Sequence, residues 1–442
     1  MRAHFIGIGG IGVSALAKYY LRRGFEVSGS DLVESEVTRE LKKQGAKVFI
    51  GKHRAQHVPQ SVDLIVYSPA VRPNNPELKK GFSLLKRNPS LKILSYPQAL
   101  GELTKKYFTI AICGTHGKST TTSLVGLILK KAKLDPTVIV GTKVREFQNS
   151  NCRIGKGKYL VVEADEHFES FLNYWPKVVV LTSLEPDHLD YYQNFSRYKK
   201  AFLKFIFHLP SEGWLVANRD DPEVFLLAKN RERVKFYSLK ERVAKKIKKI
   251  LKVPGDFNVA NALAALKVAK ILKIKEAVCF SVFKSFRGTW RRFQLERKEI
   301  DKKRVFVVHD YAHHPTEVLF TLKAAREKFG KKRIFAIFQP HQYQRTFYLW
   351  KDFLEKLPQA PVDRMVVVDI YSVAGRESLK IKKKVCAKKL VEELKKQDPQ
   401  KFFYCPSVNE ALSFFKKELK EGDVLCFLGA GDIYQMAKNL IK

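Results

Sequence analysis

The chain has 442 residues, 45% hydrophobic and 29% charged, which is long enough for two to four domains with their own cores and too apolar for a disordered chain. Lysine and arginine total 82 against 44 aspartates and glutamates, a formal +38 that invites a nucleic-acid reading, yet the basic residues are spread over the whole length and nucleic acid is not the expected partner. No run reaches the roughly 18 apolar residues of a membrane span, no secretory pattern follows Met1, and the six cysteines form no C-x-x-C pair, so the expectation is a soluble, cytoplasmic protein without a zinc knuckle or disulfide framework.

Residues 1–103 alternate short apolar strands ("HFIGIG", "FEVSGSD", "KVFIG", "LIVYSPA", "KILSY") with helical stretches ("VSALAKYYLRR", "VTRELKKQG"), which predicts a parallel sheet wound with helices. "GIGGIG" sets Gly7, Gly9 and Gly12 in G-x-G-x-x-G spacing, directly after a strand and before a helix. Such glycines permit a tight turn and let a pyrophosphate approach the helix amino terminus, where unpaired N–H groups favour anions. Asp31 stands 19 residues beyond Gly12, where an acid would meet a ribose hydroxyl. Alone, this pattern would suggest a dehydrogenase.

Residues 104–298 argue otherwise. Strand "YFTIAICG" runs into "GTHGKST" and helix "TTTSLVGLILKKA". Ile112 stands where a phosphate loop has its first glycine, but Gly114, Gly117, Lys118 and Ser119 remain, supplying backbone N–H groups, a point charge for phosphates and a hydroxyl for Mg²⁺. Acidic clusters close the next central strands: Glu163, Asp165 and Glu166 in "VVEADEHFES", and Asp187, His188 and Asp190 in "LEPDHLDYY". Carboxylates there face the crevice of an open α/β sheet, although helix capping accounts equally well for Asp165 and Asp187. The lysine-rich stretch Ser238–Gly255 has Val243, Ile247 and Ile250 or Leu251 at helical spacing and reads as a solvated helix face. Residues 299–442 repeat the alternation with "RVFVVHDY", "RIFAIFQ", "RMVVVDIY", "KFFYC" and "DVLCFLGAGD".

Taken together in order, GIGGIG, GTHGKSTTT, EADE, DHLD, the N-x-x-N of "GDFNVANALAA", "FRGTWRRF", "DYAHHPTEV", "FQPHQYQRT" and "GAGDI" resemble the Mur ligases along nearly the whole chain. The resemblance implies a three-domain α/β fold: an amino-terminal Rossmann-like UDP-sugar-binding domain (1–103), a central P-loop ATPase-like domain (104–298) and a carboxy-terminal Rossmann-like ligase domain (299–442). It implies ATP-dependent amide formation between the lactyl carboxylate of UDP-N-acetylmuramic acid and L-alanine, through an acyl phosphate, in peptidoglycan synthesis. Gly7, Gly9, Gly10 and Gly12 would then hold the UDP pyrophosphate, with Asp31 and Ser68 lining the same crevice. Gly114, Thr115, His116, Gly117, Lys118, Ser119 and Thr120 would form the ATP loop, with Lys118 bridging phosphates. Ser119 or Thr120 and Glu163 would hold one Mg²⁺ or Mn²⁺, and His188 a second. Asn258 and Asn261 would lie near the adenine, and Arg291 and Asp310 would reach the nucleotide from the third domain. His341 and Arg345, with Tyr343 and Thr346, resemble the pocket for alanine and the ligated carboxylate; His188 and His341 are candidates for the base that takes the amine proton.

The chain departs from the family pattern at Phe257, where histidine is common, at His309, where an acid is common, and at Gln342, where arginine is common. No serine-aspartate pair follows EADE, and none of Lys199, Lys200 and Lys204 is assigned as a carbamylated lysine. The alternatives are a ligase that returns a murein tripeptide to the same sugar nucleotide, a nucleic-acid-stimulated ATPase, which leaves Gly7–Gly12 unexplained, and a UDP-sugar dehydrogenase, which leaves the phosphate loop idle.

Overall fold

The computed structural model describes residues 1–373 and 377–441, and three sheets follow one another along the chain. The first is wholly parallel, with strands in the order Lys47–Ile50, Glu26–Asp31, Arg2–Ile6, Leu64–Tyr67 and Lys92–Ser95. The second runs Val234–Tyr237, Trp214–Asn218, Val178–Leu181, Phe108–Cys113, Tyr159–Glu163, Thr137–Val144 and Ser150–Arg153, with only the last strand antiparallel. The third runs Gln294–Ile300, Lys303–Asp310, Val424–Leu428, Ile334–Phe338, Arg364–Val367 and Phe402–Tyr404, its first strand antiparallel.

In the first two sheets the strand order reverses beside the strand that carries a glycine turn. That places each turn over a crevice at the carboxyl ends of the strands, the usual ligand position in open α/β sheets. Helices on both faces bury the central strands, so segments such as "IFAIF" are apolar without alternation. The edge strand Gln294–Ile300 alternates half-buried and exposed positions in "QLERKEI", so it has no apolar run to announce it. The third sheet therefore begins at Gln294, ahead of the division at 298 expected from sequence.

The two domain boundaries differ in chemistry. Val13, Leu16 and Leu100 of the first domain share one continuous core with Cys152, Phe171 and Tyr174 of the second. The third domain has separate cores on the two faces of its sheet. It meets the second largely through ion pairs and hydrogen bonds, with Phe257 stacked against Phe320. The lysine-rich helix Arg242–Ile250 buries Ala244 and Ile247 and exposes Lys245, Lys246, Lys248 and Lys249, the solvated face its spacing predicts. Among the described residues no helix is long and apolar enough to cross a membrane.

Candidate active site

Strand Arg2–Ile6 enters its turn at Gly7, where φ is 78° and a Cβ would come within 3.0 Å of the Ser68 Cβ. The left-handed backbone and the close approach both call for glycine. The N–H groups of Gly7 and Ile8 donate to the Ser30 carbonyl at 2.8 and 3.0 Å, and Gly9 N–H donates to Asp31 Oδ2 at 2.8 Å. Gly10 caps helix Ile11–Arg22, and Gly12 lies against the Tyr96 ring. Ile11 and Gly12 open onto a cavity of about 390 Å³ that draws its walls from all three domains.

The second turn leaves strand Phe108–Cys113 through Gly114, with φ 128°, and reaches helix Lys118–Lys131 through Gly117, with φ 81°. A Cβ on Gly117 would sit 2.3 Å from Asn261 Oδ1. Lys118 folds back over the loop, donating to the carbonyls of Gly114 and Thr115 at 2.6 and 3.2 Å and meeting the Glu166 carboxylate at 3.0 Å. Burial opposes the lysine's charge, but Glu166, Asp165 and Glu163 outweigh it and hold the ammonium above its ordinary range. Burial pushes Glu166 up to about 7, even with Lys118 beside it.

Ser119 Oγ donates to Glu163 Oε1 at 3.1 Å, while Gly141 N–H donates to Glu163 Oε2 at 2.8 Å. His188, in the left-handed region at φ 51°, carries Nε2 3.7 Å from Asp187 and 4.0 Å from Glu166. Burial holds its imidazole in the neutral form. Hydroxyl and carboxylate oxygens with one neutral imidazole form a donor set suited to Mg²⁺ or Mn²⁺.

The third domain closes the cavity. Arg345 reaches across to Asp187 with two parallel contacts, Nε to Oδ1 at 3.0 Å and Nη2 to Oδ2 at 3.4 Å. His341 is stacked on Tyr371, and burial together with the charges of His313 and Arg345 lowers its pKa to about 2. Its Nδ1 accepts from Arg345 Nη1 at 3.2 Å. Arg292, Tyr311, His313 and Glu317 also line the cavity.

The cavity wall thus gathers Gly12, Thr115, Gly117, Lys118, Ser119, Glu163, His188, His341 and Arg345 from among the sequence candidates. Others serve the backbone around it. Asp31, expected at a ribose hydroxyl, clamps the first turn through Gly9. Ser68 packs beneath Gly7 and accepts from Ala70 N–H at 3.3 Å. Thr120 is buried in its helix and lies outside the wall. Asn258 donates to the Pro254 carbonyl at 2.7 Å, and Asn261 accepts from the Thr121 hydroxyl at 3.2 Å beneath Gly117, so both amides, expected near the adenine, are engaged inside the middle domain. Arg291, just ahead of strand Gln294–Ile300, binds the carbonyls of Gly429 and Gly431 at 2.5 and 3.2 Å. Asp310 accepts from the N–H groups of Phe293 and Ala312 at 2.7 and 2.8 Å. It is Arg292, next to Arg291, that reaches the cavity.

Sequence reasoning passed over Arg292, Glu185 and Glu317. Glu317 sits in the first turn of helix Pro315–Phe329, where "HHPTEV" carries only a helix-start signal. The arginine doublet was visible, but nothing in it tells which member faces inward.

Comparison with known proteins bears on the whole chain. Residues 2–108 match the model of the Mur ligase family catalytic domain, 112–269 that of the Mur ligase middle domain, and 291–431 that of the Mur ligase glutamate ligase domain. The UDP-N-acetylmuramate–L-alanine ligase of Acetivibrio thermocellus is 38% identical over 99% of this chain and 95% of its own length. That of Aquifex aeolicus is 36% identical over 99% and 97%. The solved UDP-N-acetylmuramate-alanine ligase of Thermotoga maritima superposes with a TM-score of 0.78 at 28% identity, covering 100% of this chain and 98% of that one. A murein peptide ligase from Psychrobacter arcticus shares the fold at a TM-score of 0.67 and 21% identity, covering 100% and 98%.

Proposed function

The chain belongs to the Mur ligase family, and on that basis we propose that it is the ATP-dependent ligase that joins L-alanine to the lactyl carboxylate of UDP-N-acetylmuramic acid, releasing ADP and phosphate. The observation that carries this reading is one cavity fed by both glycine turns: Ile11 and Gly12 from the first, Lys118 and Ser119 from the second, with Arg292, His341 and Arg345 closing it. Full-length relatives at 36–38% identity carry the same activity in their names. Consuming ATP and a nucleotide sugar, the reaction belongs in the cytoplasm, as a step of peptidoglycan synthesis. The dispersed +38 charge needs no nucleic acid to explain it.

A carboxylate does not accept an amine directly, because the leaving group would be an oxide ion. Transfer of the γ-phosphoryl group of ATP to the lactyl carboxylate supplies a leaving group. The neutral amine of alanine then attacks the acyl phosphate, and the tetrahedral intermediate expels phosphate. The chain's own contribution is positioning and charge neutralisation. Lys118, turned from Glu166 to the phosphates, balances the charge that develops in transfer. Ser119 and Glu163, with His188 nearby, would hold Mg²⁺, which supplies further charge neutralisation at the phosphates. The Arg345–Asp187 pair fixes the third domain over the middle one and sets the wall where the amino acid enters.

The deciding assay is phosphate release from ATP with UDP-N-acetylmuramic acid, measured against a panel of amino acids and the murein tripeptide. Release dependent on L-alanine supports the proposal. Release dependent on the tripeptide assigns the chain to the recycling reaction instead.

A further inference from the structure

His116 of the phosphate loop lies outside the cavity wall, and its ring meets carboxylates of two domains. The backbone on either side of its ring is tied to the middle domain: its N–H donates to Ser183 Oγ at 3.0 Å, and its carbonyl accepts from the Thr182 hydroxyl at 2.6 Å. Its ring lies between two carboxylates from different domains, with Nε2 3.0 Å from Glu185 Oε2 and Nδ1 3.2 Å from Glu317 Oε1 of the third domain. An ionised carboxylate only accepts hydrogen bonds, and a neutral imidazole has a single N–H to give. Two carboxylates on opposite nitrogens therefore select the doubly protonated ring.

We propose that His116 is a positioning residue that reports docking of the third domain to the phosphate loop: with Glu317 in place its ring is an imidazolium bridging two domains, and with Glu317 withdrawn it is held by Glu185 alone and gives up its second proton more readily. The consequence is a tie from the phosphate loop, two positions before Lys118, to the domain that brings Arg345 and His341, made only when that domain has closed. This inference rests on the ligase reading.

The other charged groups around the ring agree with this. His314 meets it edge to face at 4.7 Å and is neutral, because burial and the charge of His116 lower its pKa to about 4. Its Nδ1 accepts from Thr316 N–H at 3.2 Å, leaving Nε2 to donate to the Pro186 carbonyl at 3.1 Å. With both nitrogens of His314 committed, the trio His116, Glu185 and His314, whose ligand atoms lie within 4.8 Å of one another, is a hydrogen-bond cluster and not a metal centre. Lys356 meets Glu185 at 3.2 Å, while His313 and Arg292 meet Glu317 at 3.2 and 3.5 Å, so both carboxylates stay ionised. Lys118 is the remaining cation two positions along, held by Glu166. Burial works against a charged ring, but the hydrogen bonds from Glu185 and Glu317 prevail and raise His116 to about 9. Because that value lies above the ordinary 6.5, the bridge is complete below pH 6.5 and is lost as pH rises through about 9.

Two measurements test this. In the first, kcat and the KM for ATP are followed against pH for the wild type, Glu317→Gln, His116→Asn and the double variant. The wild type should lose activity on an alkaline limb near pH 9. Glu317→Gln should move that limb down by about one pH unit or more, the usual effect of removing an opposite charge in contact. His116→Asn should abolish it, and the double variant should match His116→Asn. An unmoved limb in Glu317→Gln, or the same limb in His116→Asn, overturns the proposal. In the second, ¹⁵N NMR of the histidine rings in wild type bound to ADP and UDP-N-acetylmuramic acid, assigned with His116→Asn, should show both His116 nitrogens protonated at pH 8; a neutral ring overturns it. This readout needs no turnover, so a failure of the alanine assignment remains distinguishable from a failure of the histidine bridge.

Discussion

The two glycine turns share a plan and differ in what surrounds them. Both leave a central parallel strand where the strand order reverses, and both use a glycine in the left-handed region before a helix. The first is built of neutral hydrogen bonds to Ser30 and one to the Asp31 carboxylate, within a domain whose core runs unbroken into the next. The second holds a half-buried lysine against Glu166, a serine against Glu163, and a histidine against carboxylates of two domains. A turn that only holds a nucleotide needs backbone N–H groups and a rigid seat. A turn that transfers a phosphoryl group also needs charge that can be redirected as charge develops in the substrate.

If that contrast is right, the largest effect belongs to Lys118→Ala. Phosphate release should fall by about a thousandfold or more, the scale of losing a principal electrostatic group, while affinity for UDP-N-acetylmuramic acid measured by calorimetry stays within about twofold. Release at the wild-type rate would remove the distinction between the turns.

Alanine at the glycines should separate the turns by ligand. Gly117→Ala combines a left-handed φ of 81° with a 2.3 Å approach to Asn261, strain of about 1–3 kcal/mol, and should weaken ATP by about tenfold while sparing the sugar nucleotide. Gly9→Ala pushes a methyl to 2.8 Å from Asp31 Oδ2 and should do the reverse. Equal losses of both ligands in both variants would mean that the turns are not independent seats.

The smallest effect concerns acid stability of the first domain. Glu77 is fully buried and accepts from Ser30 Oγ at 2.6 Å, with His4 at 3.0 Å and His57 at 2.8 Å; burial opposes its charge, but these hydrogen bonds lower its pKa to about 2. A carboxyl held below its ordinary 4.5 stabilises the fold above that pH and loses the contribution as pH falls toward 2. Urea unfolding between pH 5 and pH 3 should show stability falling with pH, and Glu77→Gln should flatten that slope. A wild-type slope in the variant would place the acid sensitivity elsewhere.

Much of this was legible in the sequence because spacing alone carries it. Gly7 to Gly12 and Gly114 to Ser119 sit between a strand and a helix in the primary structure, and the lysines around Ile247 follow a helical period. Less legible were side chains whose partners are chosen by packing. Asp31, Asn261, Arg291 and Asp310 look the same in sequence whether they face a ligand or a backbone group, and in the folded chain they meet backbone or buried protein partners. Glu317 meets His116 only where the third domain lies over the second, a contact between residues 201 positions apart that no local pattern encodes.

The most direct test is a crystal structure with UDP-N-acetylmuramic acid and a non-hydrolysable ATP analogue bound together. The account predicts the sugar nucleotide's pyrophosphate at Gly7–Gly12, the triphosphate at Gly114–Ser119, and Lys118 swung from Glu166 onto the terminal phosphate. A triphosphate at the first turn, or a second turn left empty at saturating analogue, would contradict it.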